Sequence, residues 1–384
     1  MTDRKKLFVL AGEVSGDQHA AGVVRAFLDR RPDVEVFGAG GSKMKELGVE
    51  LLYDVDDLSV MGFVEVLGRV VRFRRIIADL KSRILSERPD AALLVDYPGM
   101  NLLMAAFLHR LNIPVVYYIP PKVWAWKEGR IAKIRDYVDR LLVIFDFEVP
   151  FFERHGVEAR FVGNPVAEQV GLAELPPFDD FAGRHGIARD RKIIGILPGS
   201  RRQEITSIYP EMLKASALLS ERYDPVFLLG RSTQIDRRLF DGYAEDAGIP
   251  VIECSAYETM RYSDLAFVTS GTATLEALCF GLPMIVVYRT GILNFEIAKR
   301  VVRLKNVSLA NLVARGLDAD SRVVPELLQH DATAANMAEE ARRLLDDPKA
   351  AAAMRNELLG AKARLAESSP SREVAAELCD YFGC

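Results

Sequence analysis

The sequence is poor in cysteine, histidine and tryptophan, and it has no uncharged apolar run long enough to matter for a membrane. Its four cysteines, Cys254, Cys279, Cys379 and Cys384, show neither metal-ligand spacing nor a small disulfide framework. That argues against zinc and against a secreted scaffold, and it fits a reducing cytoplasm. The apolar stretch behind Asp3, Arg4, Lys5 and Lys6 is interrupted by Glu13 and Asp17. It is too short for a signal peptide or a membrane span, so the chain is expected to stay inside the cell without crossing the bilayer. A surplus of one charge is missing as well: a net charge of −4 with 27% charged residues argues against nucleic acid as the main partner. No short internal repeat is visible.

What is present is material for two cores, 384 residues of which 49% are hydrophobic, beyond the size at which a single core keeps growing. Strand-like runs recur at Leu7 to Ala11, Val34 to Gly38, Ala91 to Val95, Val115 to Ile119, Leu141 to Phe145 and Ala159 to Val162. They recur again at Ile193, Val226 to Leu229, Val251, Leu265 to Thr269 and Met284 to Tyr288, with helix-like stretches between. Such alternation predicts an α/β chain of two Rossmann-like doubly wound domains whose strand ends face a shared cleft. The expected boundaries are 1–165 for the first domain, 166–190 for a proline-containing linker and 191–350 for the second domain. A helical tail over 351–384 is expected to pack back on the first.

Two strand-to-helix turns carry the clearest chemistry. Leu197-Pro198-Gly199-Ser200-Arg201 follows an apolar run; Ser200 can cap the next helix, whose free N–H groups, with Arg201 beside them, attract a phosphate. Ser270-Gly271-Thr272 leads into a helix where Glu276, one turn in, can accept hydrogen bonds from two ribose hydroxyls. Taken alone, the first is also compatible with a Pro-Gly turn flanked by solvated arginines, and the second with a tight turn whose Glu276 answers the helix dipole.

In the first domain, Gly12-Glu13-Val14-Ser15-Gly16-Asp17 occupies the place where a dinucleotide-binding chain would have a G-x-G-x-x-G turn. Acids there would repel a pyrophosphate and suit sugar hydroxyls or proton transfer, although Ser15 and Asp17 could simply cap a helix. Asp96 ends the run Ala91 to Val95, so Asp96 and Glu13 are candidate general bases, with His19 the one histidine near that face. Tyr117 to Trp126 holds both tryptophans, which fit sugar stacking, an acyl pocket or the core equally. Between Val60 and Ala78, Phe63, Val66, Leu67, Val70 and Phe73 share a helical face opposite Arg69, Arg72 and Arg75; this stripe suits a lipid interface as well as a core.

These motifs, together with Val60-Met61-Gly62-Phe63-Val64-Glu65-Val66, Val123-Trp124-Ala125-Trp126 and Val307-Ser308-Leu309-Ala310-Asn311-Leu312, make the chain resemble the bacterial lipid A disaccharide synthases over nearly its whole length. The resemblance implies the B-type glycosyltransferase (GT-B) fold, with acceptor on the first domain and UDP on the second. It implies inverting transfer of 2,3-diacylglucosamine from UDP-2,3-diacylglucosamine to 2,3-diacylglucosamine 1-phosphate (lipid X), with no cofactor and no required metal. It also implies peripheral attachment to the cytoplasmic leaflet of the inner membrane through the Phe63 to Phe73 stripe. Residues carried over are Glu13 and Asp96 for catalysis, Asp17 and Asp90 as acceptor or structural carboxylates, and Gly199, Ser200, Arg201, Ser270, Gly271, Thr272, Glu276, Tyr288 and Asn311 for UDP. A homodimer is left open. One departure stands out: many relatives carry a second acid three positions beyond the residue matching Asp96, and here that position is Gly99. The base role then falls to Asp96 or Glu13. Rivals on the same scaffold are a UDP-N-acetylglucosamine epimerase or related sugar transferase, and a nucleotide-binding regulator without catalysis.

Overall fold

The computed structural model describes residues 4–58, 66–233, 235–291 and 304–384, with the backbone alone for 66–70. The chain divides into two compact units, one running to Pro165 and including Leu365–Cys384, the other Val166–Arg364.

The first unit is built on seven strands: β1 (Lys6–Ala11), β2 (Glu35–Gly40), β3 (Glu50–Asp54), β4 (Ala91–Val95), β5 (Val115–Tyr118), β6 (Arg140–Val143) and β7 (Ala159–Phe161). They pair in parallel in the order β3-β2-β1-β4-β5-β6-β7. Leu7, Val9, Ala11, Leu93 and Val95 are buried because helices cover the sheet, so each central strand reads as a continuous apolar run. The order reverses between β1 and β4, which opens a gap at their carboxyl ends.

The second unit repeats the plan with β8 (Ile193–Leu197), β9 (Val226–Gly230), β10 (Val251–Cys254), β11 (Leu265–Thr269), β12 (Met284–Tyr288) and β13 (Glu326–Leu328), in the order β10-β9-β8-β11-β12-β13. Its switch point lies between β8 and β11. The long helix Arg202–Tyr223 packs with Ala334–Asp346 over Ile194, Ile196 and Phe267.

Three features depart from the sequence reading. Edge strands β3 and β13 had no predicted counterpart, since edge positions need less apolar sequence. The stretch expected to be a linker holds helices Pro165–Leu172 and Phe178–His185; Phe181 is buried and stacks on Tyr262 at 4.2 Å between ring centroids. The expectation of a chain without disulfides also needs correction. Cys379 and Cys384, with Cα atoms 4.9 Å apart, are bonded, because Gly383 (φ +72°) turns the chain back after the last helix.

That last helix, Pro370–Phe382, belongs to the first unit, whereas Pro348–Leu365 precedes it in the second. Val374, Leu378 and Phe382 pack on the helix Val14–Leu28, with Phe382 edge-on to Phe27 at 5.0 Å. Truncating Phe382 to Ala removes a buried ring and should destabilise the protein by about 3–5 kcal/mol, read as a lowered midpoint of thermal unfolding. A loss below about 1 kcal/mol would mean that this helix contributes nothing to the core.

Candidate functional site

At the β1–β4 gap the backbone is strained and held. Asp96 and Tyr97 both have left-handed conformations, φ +49° and +41°. Neither is glycine, so the strain persists only because neighbours fix it. Asn101 donates its side-chain amide to the carbonyls of Val95 (3.1 Å) and Asp96, Tyr117 donates its hydroxyl to the Asp96 carbonyl at 2.9 Å, and Tyr97 donates to Leu58 O at 3.0 Å. Across the gap, a Cβ on Gly12 would come within 2.2 Å of the Tyr97 ring, so only glycine lets β1 and this turn meet. Glu13 follows Gly12, exposed, and its side chain makes no cap bond with the helix it opens. Burial, and secondly the Glu13 charge, push the Asp96 carboxyl up to about 6, against the opposing influence of its Tyr97 N–H bond and of Lys122.

The other two acids of the first unit serve the scaffold. Asp17 is 3% exposed and accepts from the backbone N–H groups of Gly41 (2.7 Å), Lys43 (3.0 Å) and Met44 (3.2 Å), tying β2's end to the helix it starts from. Asp90 accepts from Lys6 N at 2.8 Å, at the amino end of β4 and away from Asp96. His19 is driven down to about 4 by burial and is neutral at physiological pH.

Beyond β5, Ile119 has φ +59°, a rare conformation for a β-branched residue. The tryptophans then part company. Trp124 is buried and donates Nε1–H to Glu148 Oε1 at 2.9 Å, while Trp126 is 45% exposed with Lys127 Nζ 4.2 Å from its ring centroid. Glu148 was not singled out from the sequence; a glutamate opening a short helix among phenylalanines carries no motif.

In the second unit β8 runs into Gly199 (φ +103°), Ser200 and Arg201, and the helix begins at Arg202. Arg201, not Ser200, is the N-cap residue, because Glu204 at the third helical position reaches back to it. The Glu204 carboxylate accepts from the Arg201 N–H (3.3 Å) and guanidinium (2.9 Å). Glu204 was missed although its spacing from the cap is a recognisable signal. Arg201 is otherwise exposed, so the turn offers free backbone N–H groups and one accessible cation to an anion.

After β11, Ser270 and Gly271 precede the helix Thr272–Cys279, and a Cβ on Gly271 would meet nothing within 4 Å, which leaves room for a ligand at the backbone. Glu276 is half-buried; burial raises its carboxyl, and a hydrogen bond with Tyr257 opposes the rise. Tyr257, pushed up to about 12 by burial and by Glu276, was not found from the sequence. Tyr288 ends β12, half-buried. Asn311 requires a correction: its amide donates to Val324 O (2.9 Å) and Glu326 Oε1 (2.8 Å), and its carbonyl accepts from Val323 N (2.8 Å) and Val324 N (3.0 Å). With every polar group of that buried side chain engaged, Asn311 shapes the scaffold and has nothing left to bind UDP directly.

Of the stripe expected to face lipid, Phe63 lies outside the described residues. Val66, Leu67 and Val70 fall in the helix Val66–Glu87, with side chains not described, and Phe73 is half-buried. Ile76, Leu80 and Ile84 give this helix its buried face, while Val71 (69% exposed) stands among exposed Arg72, Arg74 and Arg75. Among the described residues, no helix is long and apolar enough to cross a membrane.

A family model described as lipid-A-disaccharide synthetase matches residues 7–378. The chain is 38% identical to the lipid-A-disaccharide synthase of Geobacter sulfurreducens, over 98% of this chain and 97% of that one. It is 39% identical to that of Myxococcus xanthus, over 100% and 99%. Among solved structures it is similar to the UDP-GlcNAc 2-epimerase from Neisseria meningitidis bound to UDP-GlcNAc (TM-score 0.60, 13% identity, 98% and 99% covered). A further similarity is to the calicheamicin glycosyltransferase CalG4 (TM-score 0.62, 14% identity, 100% and 99% covered). At such identities the structures speak for the fold alone, two Rossmann-like domains of the GT-B kind.

The coupling of the first unit's two carboxylates is open to direct test. Titration of Asp96 by carbon-13 NMR should give a midpoint near 6, and Glu13→Gln should lower it, because the like charge that opposes ionisation is gone. A midpoint near the ordinary aspartate value of about 3.9 would refute the environment described.

Proposed function

The chain belongs to the lipid-A-disaccharide synthase family, and we propose that within this family's reaction Asp96 takes the proton while Arg201 and the helix start behind it hold UDP. The protein is a glycosyltransferase of lipid A biosynthesis. It transfers 2,3-diacylglucosamine from UDP-2,3-diacylglucosamine to 2,3-diacylglucosamine 1-phosphate, releasing lipid A disaccharide 1-phosphate and UDP.

In the proposed step the acceptor's primary hydroxyl oxygen attacks the anomeric carbon as the bond from that carbon to the UDP oxygen breaks. The hydroxyl proton passes to an Asp96 oxygen, and the electron pair leaves with UDP, inverting the configuration. The observation that carries this assignment is the Asp96 carboxyl itself, held by a strained turn at the β1–β4 gap and pushed up to about 6 by burial and Glu13. Such a group is ionised at neutral pH yet basic enough to take a proton. Glu13 keeps it basic and stands as the alternative acceptor of the proton. On the second unit, negative charge developing on the departing diphosphate meets Arg201 and the N–H groups around Gly199 and Ser200. Glu204 engages one guanidinium nitrogen of Arg201, which leaves the others to a diphosphate. Ser270, Gly271 and Thr272 let ribose approach, and Glu276 accepts its hydroxyls, with Tyr288 nearby in sequence order at the next strand end.

The acylated substrates reside in a bilayer, so attachment to the cytoplasmic leaflet of the inner membrane belongs to the same proposal. Exposed Val71 among Arg72, Arg74 and Arg75 supports it, an apolar side chain set in cationic surroundings that suit anionic headgroups.

Asp96→Asn should lower kcat for UDP release by about 100-fold or more, with the protein still folded. Arg201→Ala should weaken UDP binding, measured by calorimetry, by about tenfold or more. Full activity of the first variant would exclude Asp96 as the base, and unchanged UDP affinity of the second would exclude Arg201 as a diphosphate ligand. Val71→Glu should reduce binding to vesicles of phosphatidylglycerol, and equal binding would remove this helix from the membrane contact.

A further inference from the structure

The acceptor carries a phosphate monoester at one end of its pyranose ring and the reacting hydroxyl at the other. Asp96 and Glu13, just past the ends of β4 and β1, would repel that phosphate, so a cationic partner for it is expected elsewhere on the first unit.

The turn after β5 supplies one. In the sheet β5 is the neighbour of β4, with Tyr118 opposite Val95 and the Asp96 N–H donating to Tyr118 O at 3.0 Å. The segment that leaves β5 therefore starts beside Asp96, at the same carboxyl edge of the sheet. It is held in place, since the Trp126 N–H donates to Lys122 O at 3.3 Å and Trp124, two residues earlier, is buried on Glu148. Trp126 itself is 45% exposed. Lys127 Nζ lies 4.2 Å and the Arg130 guanidinium carbon 5.7 Å from the centroid of its ring, so one indole gathers two like charges. The Arg130 N–H donates to Lys127 O at 3.0 Å, closing the short 3₁₀ turn Glu128–Arg130 that sets both side chains on one side.

Three further features mark this turn as a receptor for an anion. Lys127 is left-handed, φ +59°, a conformation that a residue other than glycine holds at a cost. A Cβ on Gly129 would meet nothing within 4 Å, which leaves the backbone open to a ligand. Among the described residues neither Lys127 nor Arg130 forms an ion pair, whereas Arg135 pairs with Asp136 at 3.2 Å and Arg140 with Glu377 at 3.3 Å. Two cations gathered without a carboxylate repel each other, and an anion placed between them removes that repulsion.

We propose that Lys127 and Arg130, gathered on Trp126, bind the 1-phosphate of the acceptor and so select the phosphorylated sugar over the unphosphorylated one. Arg130 offers forked donors and Lys127 a point charge to the phosphate oxygens; Trp126 is a positioning residue. The proposal rests on the reading that the acceptor hydroxyl meets Asp96, which sets hydroxyl and phosphate at the ends of neighbouring strands, β4 and β5.

The test is acceptor discrimination by the full-length enzyme: kcat/KM with 2,3-diacylglucosamine 1-phosphate against 2,3-diacylglucosamine, both in neutral detergent micelles with UDP-2,3-diacylglucosamine as donor. The parent should prefer the phosphorylated acceptor by about tenfold or more. In Lys127→Gln/Arg130→Gln the preference should fall to about twofold or less, chiefly through a higher KM for the phosphorylated acceptor. Trp126→Leu should lower it part of the way, and should lower it no further when added to the double variant. Lys127→Arg should keep it.

A parent without preference, or a preference intact in Lys127→Gln/Arg130→Gln, overturns the proposal. So does a double variant slowed equally with both acceptors, which would make the turn structural. Weaker binding of that variant to phosphatidylglycerol vesicles, with the acceptor preference intact, would assign the two cations to lipid headgroups instead. The base assignment is judged separately: full activity of Asp96→Asn refutes it, whereas the acceptor preference is read on enzymes that keep Asp96.

Discussion

The left-handed peptide at Asp96–Tyr97 is the constraint that sets where the Asp96 carboxylate lies, and the proposed proton transfer depends on it. Left to itself, a chain leaving β4 would continue in an extended or right-handed helical conformation, and the carboxylate would point elsewhere. Asn101, Tyr117 and Tyr97 hold the turn with hydrogen bonds to backbone carbonyls, and Gly12 supplies the clearance that lets the Tyr97 ring lie against β1. Each of these contacts is made by a residue with no charge to offer the reaction. Their combined effect is to carry one carboxylate into partial burial beside Glu13.

The two units handle charge in opposite ways. Around Asp96, burial and a neighbouring acid raise proton affinity, and the Tyr97 N–H bond and, less, Lys122 oppose the rise. Around Gly199 to Arg201, a helix start and a guanidinium favour negative charge, and Glu204 pairs with that guanidinium. Proton uptake and leaving-group stabilisation are the two demands of inverting transfer, and the proposed roles assign one to each of these environments.

Much of this was legible in the sequence. Buried parallel strands such as Leu7 to Ala11 and Ile193 to Leu197 read as continuous apolar runs, and Glu13, Asp96 and Arg201 lie, as expected, in the turns that follow such runs. The unread parts have physical causes. Edge strands β3 and β13 are short and each begins with a glutamate; Phe181 lies in a stretch rich in prolines and acids; and the disulfide depends on a glycine turn that brings Cys384 back to Cys379. Polar residues proved hardest to sort. Asn311 and Asp17 have the composition of ligand-binding groups, yet their hydrogen bonds are all directed inward, whereas Glu204, Tyr257 and Glu148 gained meaning only from the neighbours that folding gave them. Residue type reveals capacity for a bond, and only the fold reveals whether the bond is already made.

The role of Asp96 depends on where the acceptor hydroxyl sits. A crystal structure with 2,3-diacylglucosamine 1-phosphate bound should show its primary hydroxyl within about 2.6–3.2 Å of an Asp96 carboxylate oxygen. That hydroxyl bonded to Glu13 instead, with Asp96 out of reach, would contradict it.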